Sequence, residues 1–473
     1  MTDWAITTTP LTHQDTAFMK MMKLRVGGLF MDMGTGKSLV VIMLAFLRRQ
    51  KISKVVWCCP VSLKLNTHDQ IMQHTSCIPG DVNVFNNKTA SHNLPNKFWH
   101  IVGLESLGSS DRVVMAMDRL IDDKTMLVVD ESSFIKGHRS NRSQRLILLG
   151  GRARYRLVLN GTPISQGIED LYTQITFLST KILGYTSWYA FRRKHLEYSE
   201  HFKGMIKERY HTDWLGAKIA PYVYQVTKEE CLTLPTKTTN YALVEMTGEQ
   251  QAYYQDAKKA FEEEAQDLDF DDMGGAIFRL FSALQSVVNG VIPANNPGAG
   301  EAIDTLKNRE LIRHLGQLQG KHVVVWVKYR RSVASVQSCL EKELPDINIS
   351  KYYGDMNEAQ RADSLARWRR LGGVFVATAS CGGYGLTLVE SHHALFYTNT
   401  FKYSERIQAE DRLHRIGQTL PVSYFDIWVN CGIEDRIRSA IGMKADALGV
   451  FRSEIDAVKD MGKGQLKNLI GSL

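Results

Sequence analysis

The sequence predicts an α/β protein of two lobes, each a parallel sheet covered by helices. Three observations carry that prediction. Short β-branched runs alternate with longer helical stretches, the alternation occurs in two separate blocks, and the runs are apolar almost throughout, as strands buried on both faces must be. The first block holds GLFM (28–31), KVVWCC (54–59), HIVGL (100–104), TMLVVD (125–130) and RYRLVLN (154–160). The second holds HVVVWVK (322–328), INISKYY (347–353), GVFVATA (373–379), ALFYTN (394–399) and SYFDIWV (423–429).

Between the blocks the pattern changes. Residues 181–220 interleave Lys181, Arg192, Arg193, Lys194, Lys203, Lys207, Arg209 and Lys218 with eight aromatics, and read as a helical, basic and aromatic insertion. Two readings of its aromatics stand side by side: stacking residues for a ligand, or the core of a helical pair formed by Trp188, Phe191, Tyr198 and Trp214. The acidic run at 262–272 and NPGAG at 296–300 read as a solvated helix and an exposed loop.

Composition narrows the class. Lys and Arg exceed Asp and Glu by 58 to 50, an excess of +8 that permits a polyanionic partner without requiring one. The longest apolar run, Leu39 to Leu47, is far short of the roughly 20 residues that cross a bilayer. MTDWAITTTP has neither a basic flank nor an apolar signal core, so an intracellular, cytoplasmic protein without a membrane span is expected. Seven scattered cysteines with no C-x-x-C spacing suggest neither a disulfide framework nor a zinc site. His392-His393 and Cys58-Cys59 likewise lack further ligands at metal spacing.

Chemistry concentrates in a few motifs. GLFM runs into DMGTGKS (32–38) and then into an apolar helix, the order of a phosphate-binding loop. Gly34, Thr35 and Gly36 would bring backbone N–H groups to phosphate oxygens, Lys37 would reach the β and γ phosphates, and Ser38 would offer a hydroxyl to Mg²⁺. Met31 stands where the strict pattern has glycine. Asp130 and Glu131 end a buried strand, where α/β sheets place their ligands. Asp130 would hold Mg²⁺ and Glu131 would orient and deprotonate water.

Taken together the motifs resemble superfamily 2 helicases, specifically the Snf2 branch of DNA-dependent ATPases. DMGTGKS resembles motif I, CPVSLKLNT (59–67) motif Ia, DESSFIK (130–136) motif II and LNGTPI (159–164) motif III. YYGDMNEAQR (352–361), ATASCGGYGLTL (377–388) and QAEDRLHRIGQ (408–418) resemble motifs IVa, V and VI. LTHQ (11–14) is similar to the segment whose Gln, here Gln14, contacts adenine, and residues 231–254 carry the L-P-x-K and M-T-x-x-Q-x-x-Y pattern of the branch. Ser133 replaces the usual motif II histidine, and TNTFKYSERIQ replaces the usual segment before motif VI.

The resemblance implies two RecA-like lobes with Snf2-type helical insertions. Their expected extents are 1–235 with an insertion at about 166–220, 236–444 with an insertion at about 247–318, and a helical tail at 445–473. It also implies ATP and Mg²⁺ as cofactors, held between the lobes, with Arg412 and Arg415 on one helix face as arginine fingers. Gly385 would let the motif V backbone approach the nucleotide. Lys64, Asn66, Lys328, Arg330, Arg331 and Thr378 are candidate contacts to DNA phosphates. Motif VI is closest to the fork-remodelling, annealing-helicase members, and the compact chain resembles virus-encoded branched-DNA helicases. A translocase that remodels duplex, forked or four-way DNA in replication, recombination or repair is therefore expected. Two alternatives remain at this point: a duplex translocase that displaces bound proteins, and an ATP-gated DNA clamp without turnover.

Overall fold

A computed structural model describes residues 4–473 except 162, 165–166, 200–205, 268–272, 295, 383–385, 448–449, 452 and 455–467. The described residues form two compact units, one from residues 4–197 and 206–233, the other from residues 198–199 and from residue 234 onward. In each, the apolar runs of the sequence become strands of one parallel sheet.

The first unit contains β1 (Val26–Met31), β2 (Lys54–Cys59), β3 (Val82–Val84), β4 (Trp99–Gly103), β5 (Thr125–Val129), β6 (Tyr155–Asn160) and β9 (Val223–Val226), in the order β3-β4-β2-β5-β6-β1-β9. β7 (Leu196–Tyr198) and β8 (Ile206–Arg209) form a separate two-stranded sheet. Registers such as Val26↔Arg156 and Val129↔Val158 bring the carboxyl ends of β1, β6 and β5 side by side, with β6 in the middle. The helix Lys37–Arg48, which follows β1, is buried on nearly every side, from Leu39 to Ala45. A helix apolar all round can be stable only inside, and each such Leu, Val or Ile contributes about 1.5–3 kcal/mol by leaving water.

The second unit contains β10 (Lys237–Val244), β11 (His322–Val327), β12 (Ile349–Tyr352), β13 (Gly373–Thr378), β14 (His393–Phe396) and β15 (Val422–Val429), in the order β10-β15-β14-β11-β13-β12. β10 is an edge strand and largely exposed, so KTTNYALV lacks the apolar continuity that marks the other strands. β3 and β9 escape the sequence reading for a different reason: each is only three or four residues long.

Three expectations are corrected. The insertion at 181–220 is not wholly helical, because β7 and β8 pair within it. Residues after 445 are not a separate tail: Ala447, Phe451, Ile470 and Leu473 are buried in one core with Tyr254, Phe281 and Ile433. Arg412 and Arg415 do not lie on a helix, since Tyr403–Glu410 ends before them and the chain continues in turns.

Lys307 is fully buried in the second unit, its Nζ 3.2 Å from Asn289 Oδ1, 3.8 Å from Glu434 and 5.0 Å from the Tyr397 ring centre. Burial raises the Glu434 carboxyl above its usual range and the Lys307 charge opposes that rise. Lys307→Met strands the carboxylate and is expected to lower stability by about 3–5 kcal/mol, seen as an earlier urea transition. Adding Glu434→Leu should restore most of the loss, because two apolar residues need no partner.

Candidate nucleotide-binding site

β1 delivers the chain into a tight loop whose Gly34 and Gly36 have φ of 79° and 86°, the left-handed region that glycine enters freely. Gly36 is also a point of close approach: a Cβ there would lie 2.1 Å from Gln14 Nε2. The loop is held from outside. Gln14 Nε2 donates to the Thr35 carbonyl at 3.0 Å, His13 Nε2 meets the same oxygen at 2.8 Å, and Gln14 Oε1 accepts from the Leu11 N–H at 2.9 Å. Thr35 is fully buried and donates its Oγ1 to the Asp32 carbonyl at 2.7 Å. Asp32 Oδ2 in turn accepts the Lys228 N–H at 2.9 Å. Gln14 and Thr35 therefore shape the loop as well as bordering it.

Lys37 Nζ donates to the carbonyls of Met31 at 2.8 Å and Asp32 at 3.2 Å, folding back over the loop toward the end of β1. Ser38 stands half-buried in the first turn of the following helix, where backbone N–H groups and the helix dipole favour an anion.

Across β6, the acidic pair occupies the end of β5. Asp130 donates its N–H to Cys58 O at 2.7 Å, and its Oδ1 accepts the Glu131 N–H at 2.9 Å. Burial raises the Asp130 carboxyl, while the Lys37 charge and the Glu131 N–H oppose the rise. The buried Glu131 has φ 48° and ψ 56°, a left-handed conformation that costs a non-glycine residue about 1–2 kcal/mol. Strain of this kind persists where surrounding contacts over-determine the backbone, characteristically at functional sites.

The residue after Glu131, Ser132, is held by Asn160 of β6 and by Gln174. Asn160, at the strand's end, sends Nδ2 toward Ser132 Oγ (3.4 Å) and Gln174 Oε1 (3.5 Å), while Ser132 Oγ donates to Gln174 Oε1 at 2.5 Å. Gln174 Nε2 then donates to Pro163 O at 2.9 Å and Asp170 O at 2.7 Å. The next residue, Gly161, touches the glycine loop: a Cβ would meet Met33 Cγ at 2.9 Å. One strand end thus abuts both the loop and the acidic pair.

In the second unit, Arg412 Nη1 and Arg415 Nη1 both donate to the Leu386 carbonyl at 3.3 Å, and Arg412 Nε donates to Gln408 O at 2.9 Å. The two guanidiniums converge although no helix joins them. Burial, then the neighbouring Arg412 charge, lowers Arg415 to about 10, still protonated at neutral pH. Arg415 Nε is buried with no hydrogen-bond partner among the described residues. Gln418 fastens this turn, with Nε2 on Ser391 O at 2.9 Å and Oε1 accepting the N–H groups of Thr419 and Leu420. Gly385 lies outside the described residues.

The candidate DNA contacts divide. Lys64 is buried and donates to Phe85 O at 3.0 Å; Lys328 donates to Gln285 Oε1 at 2.6 Å and sits 3.0 Å over the Phe401 ring. Burial pulls the Lys328 ammonium well below its usual range. Both lysines are internal struts, which corrects their assignment to phosphates. Thr378 is corrected for the same reason, being buried at the end of β13. Asn66 is half-buried, whereas Arg330 and Arg331 are exposed, Arg330 pairing with Asp355 and Arg331 lying against Gly300.

In the insertion, the aromatics pack on one another. Phe191 is fully buried, Trp188 stacks on His138 at 4.2 Å, and Tyr185 OH meets His195 Nε2 at 2.7 Å. The core reading of these rings is the one the packing supports.

Comparison with known proteins decides the family. The SNF2-related domain matches residues 13–292 and the helicase conserved C-terminal domain residues 306–417. The chain belongs to the SNF2-related family. Its core is that of the superfamily 2, Snf2-like helicases, with two RecA-like lobes. The DNA annealing helicase and endonuclease ZRANB3 of Homo sapiens is 24% identical over 439 residues, 88% of this chain and 38% of that protein. The ISWI chromatin-remodeling complex ATPase CHR11 of Arabidopsis thaliana is 23% identical over 395 residues, 77% of this chain and 35% of that protein. The chain therefore spans less than two-fifths of the length of these relatives. The Hef helicase domain of Pyrococcus furiosus shares the fold, with a TM-score of 0.53 at 14% identity, covering 91% of this chain and 98% of that one.

Several residues of this SNF2-related site act through partners that the motifs do not mark. His13, Asn160 and Gln174 matter through side-chain bonds spanning 14 to 42 residues of sequence. Asn160 and Ser132 lay inside motifs already recognised, but nothing local marked their partner Gln174. Among the described residues no helix is long and apolar enough to cross a membrane.

Proposed function

We propose that the chain hydrolyses ATP on DNA and uses the cycle to move along duplex and remodel branched DNA, by fork regression, branch migration or annealing. The observation that carries the ATPase reading is the convergence of the glycine loop, Lys37 and the Asp130–Glu131 pair at neighbouring strand ends around Asn160. The left-handed backbone at Gly34 and Gly36 and the helix N-terminus that follows are features that suit a nucleoside triphosphate. Ser38 and Asp130 suit Mg²⁺. Among the described residues no cluster of three or more His, Cys, Asp or Glu could hold a metal ion. Bound Mg²⁺ would neutralise charge on the transferred phosphoryl group. Lys37 would bind the phosphates, Glu131 would take the proton of the attacking water, and Arg412 and Arg415 would stabilise the charge that develops.

Branched DNA as substrate is supported by the likeness to an annealing helicase over 88% of this chain. A duplex translocase that displaces proteins is the second reading, supported by the remodeling ATPase relative. Hydrolysis should be measured with single-stranded, duplex, forked and four-way DNA, for wild type and Glu131→Gln. DNA-stimulated turnover with conversion of forks or four-way junctions is expected. Absence of stimulation by any DNA overturns the proposal; protein displacement from linear duplex without fork processing transfers it to the second reading.

A further inference from the structure

The insertion at 181–219 does more than fill space beside the sheet, because its core is wired to the loop that follows the acidic pair. From Glu131 the chain makes one 3-10 turn, Ser132–Ile135, and reaches Lys136, whose carbonyl accepts Thr173 Oγ1 at 3.0 Å and whose Nζ lies 3.4 Å from Asp170. His138 then stacks on Trp188, 4.2 Å between ring centres and 15° between planes, and Arg139 donates to Tyr189 OH at 3.0 Å. Burial and the Arg139 charge lower the His138 pKa, which favours a neutral ring for stacking. A second connection runs through the helix Glu169–Leu178. Its Tyr172 packs on Trp188 and Phe191, and its Gln174 binds Ser132 beside Glu131.

The outer side of the same insertion is basic. Trp188–His195 ends in exposed Arg192, Arg193 and Lys194, and Lys218 arrives from another helix, Thr212–Ile219. Helix-dipole complementarity accounts for cations at the first helix end, but not for their meeting with Lys218. Lys194 Nζ and Lys218 Nζ both lie over the Trp214 ring, 4.5 and 5.4 Å from its centre. No carboxylate pairs with Arg193, Lys194 or Lys218 among the described residues. Two ammonium groups gathered on one indole without a counter-charge are completed by an anion with several oxygens, such as successive backbone phosphates.

We infer that this insertion is a DNA sensor: the Arg193–Lys194–Lys218 face holds duplex phosphates, and the His138–Trp188 stack passes that occupancy to the Asp130–Glu131 loop, raising ATP turnover. The inference rests on the ATPase reading above and adds to it where DNA acts and by what route. Contact is electrostatic and independent of base sequence. Coupling follows because the stack and the Gln174–Ser132 bond are the packed path from the face to the backbone that positions Glu131.

Two variants of the full chain separate contact from relay. Arg193→Gln with Lys194→Gln should weaken duplex binding and reduce the slope of log affinity against log salt by about 2, one for each lost phosphate contact. His138→Ala should bind duplex as wild type does yet lose at least about fivefold of the DNA-stimulated rate. His138→Phe, which keeps a stacking ring and needs no partner for the buried Nε2, should restore that rate; a role for the ring nitrogens would not be rescued this way. Wild-type affinity and salt slope in the double variant would overturn the contact, and full stimulation in His138→Ala would overturn the relay. A wild-type protein that no DNA stimulates defeats the ATPase reading instead, so the two failures are distinguishable.

Discussion

Glu131→Gln is expected to halt ATP turnover while leaving ATP bound, with the rate falling by about 10²–10⁴-fold, the contribution of a positioned general base. The amide keeps the size of the carboxylate and leaves the backbone hydrogen bond to Asp130 in place, so the left-handed backbone and the packing around it are retained. What is lost is the ability to accept a proton from water. On the proposed reading, nucleotide affinity rests instead on the loop N–H groups and Lys37, on a different strand end. Single-turnover hydrolysis measured beside equilibrium binding of ATP checks both halves. A variant that still turned over at the wild-type rate would remove Glu131 from the chemistry.

Arg415→Ala should be as severe, lowering turnover by about 10³–10⁵-fold, the range for removal of an arginine finger. The guanidinium is buried beside a second one, and its Nε lacks a partner among the described residues, so a charged donor is held ready for an anion. Arg415→Lys should recover little, because an ammonium has no planar fork to span two phosphate oxygens. Steady-state ATPase assays with both variants test this. Because Arg412 shares the Leu386 carbonyl, the Arg412→Ala and Arg415→Ala effects should not be additive.

Much of the fold was readable before any coordinates. The apolar runs at 54–59, 125–130 and 322–328 became strands within a residue of their expected ends, because a strand covered on both faces cannot be written without near-continuous apolar residues. β10 was not readable as a strand, since an exposed edge imposes no such demand. In the same way DMGTGKS and the Asp130–Glu131 pair stood out because loop conformation and chemistry there depend on adjacent residues.

The misplacements share one cause. Lys64 and Lys328 were assigned to DNA from residue type and motif position, but a lysine can swing its ammonium through several ångströms, and what decides its direction is the partner it meets. Those partners, Phe85 and Gln285, lie 21 and 43 residues away in sequence. Arg412 and Arg415 were expected to converge by helical spacing; they converge instead because one carbonyl, Leu386, and the anchoring of Gln418 gather them from a turn.

By itself, then, the sequence determined two parallel-sheet lobes, the glycine loop and the position of the acidic pair, since each follows from residues adjacent in the chain. Only the tertiary structure decided which cations face inward, how Asn160 and Gln174 hold Ser132 beside Glu131, and that His138 stacks on Trp188. Those outcomes depend on side chains brought together across many residues, and no local pattern encodes where a flexible or polar side chain will find its partner.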